Sequence, residues 1–261
     1  MRIGDLENML LELIPASAAE PWDRTGMLVG DPDAPVTHVA VALDPSVAAI
    51  DFAKGNGANV LVTHHPLFLD PPCEAKPAGT GKDAVGARVW HAIASDVSIM
   101  SFHTALDANP RAASALARPL GLEVGDGLLE ATPNMPGFGY GRICRAPANP
   151  LSRYTRACED AFGRANRTWG DPDRLVETIC LWTGAAGDAP ALCADRAIDL
   201  LICGEVKYHA ALDACERGLA IIELGHDVSE QPLCGVLVES IAKCGVPGES
   251  VFPMALPGNW R

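Results

Sequence analysis

Two adjacent histidines, His64 and His65, follow the apolar run Val60-Leu61-Val62 and precede Pro66. Side chains alternate along a strand, so neighbours cannot share one face. At a strand end the chain turns, and the following proline holds His65 extended, so the two imidazoles can reach two separate points. Such divergence suits a pair of metal ions a few ångströms apart. A buried, hydrogen-bonded histidine beside an exposed one accounts for the pair equally well. His103 and Asp107 are four residues apart, as are His226 and Glu230, and each pair begins where a strand-like run ends. On a helix, positions i and i+4 share a face, so imidazole and carboxylate could converge on one ion. Mixed nitrogen and oxygen donors suit zinc, iron, manganese or nickel better than calcium, which prefers oxygen alone.

A further polar group, Glu205, Lys207 and His209, follows the run Asp199–Cys203. Lys207 offers a cation to an anionic substrate, and Glu205 and His209 are candidates for binding or proton transfer. Local caps on a solvated surface are the competing reading, and Asp23, beside Trp22, divides the same way. The turn Gly184-Ala185-Ala186-Gly187 could cradle an anion with backbone N–H groups. It lacks the Lys-Ser/Thr ending of a P-loop, and a plain strand-to-helix turn fits it better.

The elements that must position these residues follow from apolar spacing. Helical periodicity covers Arg2 to Leu13, and Asp44-Pro45-Ser46 opens a helix through Ala53. Further helices are expected over Ala84–Ala94, from Ala112 to Pro119, Leu151–Phe162, near Ala189–Ala197, Ala210–Arg217, and from Pro232 to Cys244, where regular structure closes. Strands are expected at Val36–Leu43, Val60–Val62, Val97–Met100, Leu175–Thr183, Asp199–Cys203 and Ala220–Leu224. Gly, Pro and Asn dominate Asp126–Pro150, which reads as a join with one strand at Tyr140–Arg145. Both halves repeat one rhythm of strand, helix and strand ending in histidine. This predicts two α/β repeats, 1–125 and 126–261, with mostly parallel sheets whose ligands gather beyond the strands' carboxyl ends. His64, His65, His103, His209 and His226 all fall at that edge.

Composition bounds the remaining classes. A chain of 261 residues, 48% hydrophobic and 20% charged, can bury one large core or two compact ones. Twenty basic residues against 33 acidic give a formal charge of −13, with no Lys/Arg cluster. That argues against direct nucleic-acid binding, while a small anionic substrate stays open because a bound metal reverses the local sign. Nine cysteines, an odd number without CxxC spacing, and no charged-then-apolar leader point to a reducing cytoplasm. No apolar run approaches the roughly 20 residues of a membrane helix.

Five motifs occur in order: Trp22-Asp23-Arg24-Thr25-Gly26, Thr63-His64-His65-Pro66, His103-Thr104-Ala105-Leu106-Asp107, Gly204-Glu205-Val206-Lys207-Tyr208-His209 and Gly225-His226-Asp227-Val228-Ser229-Glu230. Together they resemble the YbgI-type, or Nif-three-like, family of dinuclear metal-centre proteins, labelled GTP cyclohydrolase I type 2 homologues. The resemblance implies two intertwined α/β repeats with mixed, mostly parallel sheets flanked by helices, no inserted third domain, and a toroidal homohexamer built as a trimer of dimers. It implies that His64, His65, Asp107, His226 and Glu230 hold two divalent ions between the repeats, with His103 behind them, orienting a ligand or relaying a proton. The implied activity is a metal-dependent hydrolase, in its cyclohydrolase form opening the ring of a guanine nucleotide. A metal-dependent phosphoesterase or amidohydrolase, and a non-enzymatic metal-binding or regulatory scaffold, are the alternatives. Asp227 stands where the family has an aromatic, Cys203 where it has threonine, and Phe252–Pro257 departs from its C-terminal pattern.

Overall fold

The computed structural model describes residues 1–133, 135–163 and 167–258. In chain order the helices are α1 Ile3–Leu13, α2 Val47–Gly55, α3 Ala84–Ala94, α4 Thr104–Asp107, α5 Pro110–Ala117, α6 Leu151–Phe162, α7 Ala189–Asp195, α8 Tyr208–Glu216 and α9 His226–Lys243. The strands are β1 Gly26–Val29, β2 Val39–Ala42, β3 Val60–Thr63, β4 Ser98–Ser101, β5 Val124–Ala131, β6 Gly139–Pro150, β7 Arg167–Trp169, β8 Leu175–Leu181, β9 Leu200–Cys203, β10 Ala220–Glu223 and β11 Val251–Pro253. They divide into two compact units, one of Met1–Leu106 with Leu233–Pro257, the other built on Asp107–Pro232. Both are mixed α/β, each with its own sheet flanked by helices.

The first unit holds the sheet β1-β4-β3-β2-β11, antiparallel at β1/β4 and parallel elsewhere. β2, β3 and β4 are buried along their whole length, the signature of strands covered on both faces. Ser46 caps α2 by accepting the Ala49 N–H, and Ala49, Ile50 and Ala53 turn into a core with Leu61, Leu67 and Ile99. Register places Thr63 opposite Ser101, and their hydroxyls lie 3.0 Å apart. Neighbouring parallel strands therefore stop level with one another, and the residues they release, His64-His65 from β3 and Phe102-His103 from β4, emerge side by side.

The second unit holds the sheet β5-β6-β8-β9-β10-β7, with β8, β9 and β10 parallel and the outer pairings antiparallel. Glu223 pairs with Cys203 and Leu181 with Ile202. Three parallel strands thus release Trp182-Thr183-Gly184, Gly204-Glu205 and Gly225-His226 at one edge.

Two expectations need correction. Asp126–Pro150 is not a join: β5 and β6 form a bulged antiparallel pair within the second sheet. Its glycines disguised it, yet a Cβ on Gly125 would stand 2.7 Å from the Ile143 carbonyl oxygen, so close strand approach requires that one. Nor does regular structure close at Cys244. β11 pairs in parallel with β2, so the C-terminal segment completes the first unit's sheet. β1, Gly26–Val29, and β7, Arg167–Trp169, lie outside the strands read from the sequence, and β7 has no buried residue to mark a face.

Candidate metal centre

In the first unit, His64 is buried and its Nδ1 lies 3.1 Å from the Phe102 carbonyl oxygen. A carbonyl only accepts, so Nδ1 carries the proton and the ring's lone pair sits on Nε2. His65 Nδ1 is 2.8 Å from Asp44 Oδ1 and His103 Nδ1 is 3.1 Å from Asp23 Oδ1, with the same consequence. The three rings cluster, with centroids 4.9 Å apart for His64/His65, 5.3 Å for His64/His103 and 5.6 Å for His65/His103. One ligand atom from each lies within 4.8 Å of the others. Trp22 packs edge-on against His103 at 5.9 Å.

Behind His103, Asp23 is closely tied. Its Oδ2 accepts the Thr104 N–H at 2.9 Å and the Thr104 hydroxyl, and its Oδ1 accepts the Arg24 N–H at 2.7 Å. Burial raises the Asp23 carboxyl, but the bonds from His103 and Thr104 and the Arg24 N–H outweigh it and hold it at about 2. The carboxylate is therefore a standing negative charge behind the ring.

In the second unit, His226 opens α9 and presents Nδ1 to Glu205 Oε1 at 3.0 Å and Nε2 to Glu230 Oε2 at 3.2 Å. The i,i+4 pairing read from the sequence is real, and Glu230 is 3% exposed. Asp107, the last residue of α4, accepts the Thr183 hydroxyl at 2.7 Å on Oδ1. Gly184 is left-handed at φ +64°, and a Cβ there would stand 2.1 Å from Glu230 Oε1 and 3.4 Å from His226 Nε2. Its N–H donates to Ser229 Oγ at 2.9 Å. The Gly184–Gly187 turn is a strand-to-helix turn whose first glycine makes room for a carboxylate.

The structure thus groups His64, His65 and His103 in one unit, and Glu205, His226 and Glu230 in the other. Glu205 and Lys207 flank the buried Val206 and both are exposed. His209 turns its ring to Tyr208, centroids 5.3 Å apart, on the exposed side of α8. Sequence reasoning passed over Asp44, Thr183 and Ser229, and weighed Gly184 only as part of a turn. Asp44 carried the one legible signal, a carboxylate released from the same edge of β2 that delivers the histidines from β3 and β4, but it was spent on the helix start.

Imidazoles whose far nitrogen is anchored to an oxygen acceptor are the usual surroundings of metal-ligating histidine, and imidazole with carboxylate suits borderline divalent ions. These histidine and glutamate groups fit metal binding. The family model for Duf34/NIF3 (NGG1p interacting factor 3) matches residues 1–251. The chain belongs to this family. A GTP cyclohydrolase 1 type 2 homolog of Streptomyces coelicolor is 34% identical over 242 residues, 89% of this chain and 83% of that protein. One of Clostridium acetobutylicum is 26% identical over 92% of this chain and 90% of that protein. Among solved structures, a Bacillus cereus protein related to NIF3 has the same fold at TM-score 0.87 and 17% identity, over 99% of this chain and 98% of that one. Protein ybgI, of unknown function, superposes at TM-score 0.83 and 23% identity, over 98% and 99%. Among the described residues, no helix is long and apolar enough to cross a membrane.

Proposed function

We propose that this Duf34/NIF3 member is a dinuclear metal-dependent hydrolase whose two divalent ions are held by His64, His65, Asp107, His226 and Glu230. The observation that carries this reading is the common anchoring of the histidines. His64 and His65 each give Nδ1 to an oxygen acceptor, which leaves Nε2 as the basic nitrogen a cation requires, and His226 is held by Glu205 at Nδ1 with its Nε2 beside Glu230. When bound, two such ions supply Lewis acidity, acidifying water and polarising an electrophilic carbon or phosphorus.

The chain's own residues then divide the work. Glu205 fixes the His226 ring, Asp44 fixes His65, and the Phe102 carbonyl fixes His64. His103, outside the ligand set, accepts a proton through Nε2. Lys207, exposed at the N-cap of α8, offers its ammonium to the anionic end of a substrate, with His209 further along α8 as a candidate acid. The GTP cyclohydrolase names of the relatives favour a guanine nucleotide, whose five-membered ring is opened with consumption of water and release of formate. The assembly is a homohexamer in this reading, a toroid built as a trimer of dimers, in the cytoplasm.

The test is direct. Protein stripped by chelation and reloaded with manganese, iron, zinc or nickel is given GTP, and formate is measured. Two ions per chain and metal-dependent formate release are expected, with both diminished in His64→Ala. Two bound ions without turnover of GTP, phosphodiesters or amides would instead leave a metal-holding scaffold. Light scattering should return six times the 27.4 kDa chain mass.

A further inference from the structure

We propose that Asp23 is a positioning residue of the metal centre: its buried carboxylate locks His103 in the tautomer that turns a basic Nε2 toward His64 and His65. This rests on the reading of those two histidines as ligands, and adds the device by which the chain sets a proton acceptor beside them.

The geometry separates His103 from its neighbours. His64 leans on a neutral backbone carbonyl, and His65 leans on Asp44, whose side chain is 45% exposed. The Asp23 side chain is fully buried. It accepts four hydrogen bonds from three residues: Thr104 N–H and Oγ1–H on Oδ2, Arg24 N–H and His103 Nδ1–H on Oδ1. A carboxylate so enclosed has no donor of its own to offer, so Nδ1 of His103 must hold the proton. Trp22, the preceding residue, closes the ring from the side. The loop Trp22-Asp23-Arg24 therefore fixes the direction, the tautomer and the packing of one imidazole. The arrangement is also tied to α4, because Thr104 Oγ1 accepts the Glu20 N–H at 2.9 Å while it donates to Asp23.

Asp23→Asn inverts this polarity. The remaining oxygen is claimed by Thr104, whose N–H is buried, whereas Arg24 is exposed and its N–H can turn to water. The new amide NH₂ then faces His103 Nδ1 and donates to it, so the proton moves to Nε2 and the ring points N–H at the metal ligands.

Histidine tautomers are read from two-bond ¹H–¹⁵N spectra of labelled protein, metal-free and again zinc-loaded, with His103 assigned by its disappearance in His103→Gln. The expected result is Nδ1–H in the wild type and Nε2–H in Asp23→Asn. Thr104→Ala, which deletes one bond to the same carboxylate, should leave the tautomer unchanged, so mere loosening cannot produce the shift. Metal content should equal wild type in Asp23→Asn and fall in His64→Ala. With GTP as substrate, Asp23→Asn and His103→Gln should each lower kcat about 10- to 100-fold, and the double variant no further. An Nε2–H wild type, an unmoved tautomer in Asp23→Asn, or metal loss there equal to that of His64→Ala would overturn the proposal. Absence of GTP turnover in the wild type would sink the cyclohydrolase reading alone, since the tautomer is measured without turnover and decides the role of Asp23 by itself.

Discussion

Gly184→Ala tests whether the turn after β8 exists to seat Glu230. The added Cβ would stand 2.1 Å from Glu230 Oε1, where ordinary contact begins at 3.4 Å, so the carboxylate must retreat by about 1.3 Å. Retreat is not cheap, because Glu230 is 3% exposed and its other oxygen is 3.2 Å from His226 Nε2. The backbone contribution is separable. A left-handed alanine costs roughly 1–2 kcal/mol, and alanine's stiffer unfolded chain returns about 0.4–1 kcal/mol, so stability should fall by only about 1 kcal/mol. That is roughly 2–4 °C in melting temperature for a chain of this size. Gly187→Ala supplies the control, with φ +51° and nothing within 4 Å of its Cβ: the same backbone strain without the contact. Zinc or manganese affinity, measured by competition with a chelator, should drop about 10- to 100-fold in Gly184→Ala, or about 1.4–2.7 kcal/mol. Gly187→Ala should bind as wild type. Equal affinity in both variants, with Glu230 intact, would refute the claim that Gly184 is there for the carboxylate.

Glu223, 6% exposed, accepts both arms of Arg167 and the N–H groups of Trp169 and Val206. Glu223→Gln should cost about 2 kcal/mol, a figure kept low because the Arg167 side chain is 60% exposed; an unchanged melting temperature would contradict it. Burial raises the Glu223 carboxyl, but those bonds bring it below its ordinary 4.5, and Thr178 and Glu177 N–H groups with Arg174 do likewise for Asp199 against 3.8. Lowered folded values mean stability that is complete above the ordinary values and lost as pH falls below about 4.5 through the folded ones. Melting curves from pH 6 to 2 should show this loss, and Glu223→Gln should remove its upper part. Of the nine thiols only Cys73 is exposed, and burial pushes Cys158 up to about 12 and Cys203 higher still. A colorimetric thiol reagent should therefore modify one cysteine rapidly in the native protein, Cys215 slowly, and all nine only after denaturation; several fast thiols would mean an open second-unit core.

Strand ends were legible because apolar runs such as Val60-Leu61-Val62 and Ala220-Ile221-Ile222 stop abruptly at polar residues, and burial on both faces leaves no other reading of such runs. Spacing also sufficed for His226 and Glu230, since i,i+4 proximity is a property of one helix and needs no partner. The β5–β6 pair was illegible for the opposite reason. Its glycines and prolines lower local strand preference, and pairing with the neighbouring strand β8 holds it in the sheet.

Residue types and local periodicity therefore determined which histidines and carboxylates stand at the sheet edges. What stands behind them was decided by tertiary structure alone. Asp23 meets His103 across 80 positions, Glu205 meets His226 across 21, and Thr183 meets Asp107 across 76. Those meetings depend on which strands lie side by side and where each one stops, and pairing register is a property of two segments together that neither carries alone. The same holds for Gly184, an ordinary turn residue in the sequence, whose missing side chain has a purpose only once α9 places Glu230 against it.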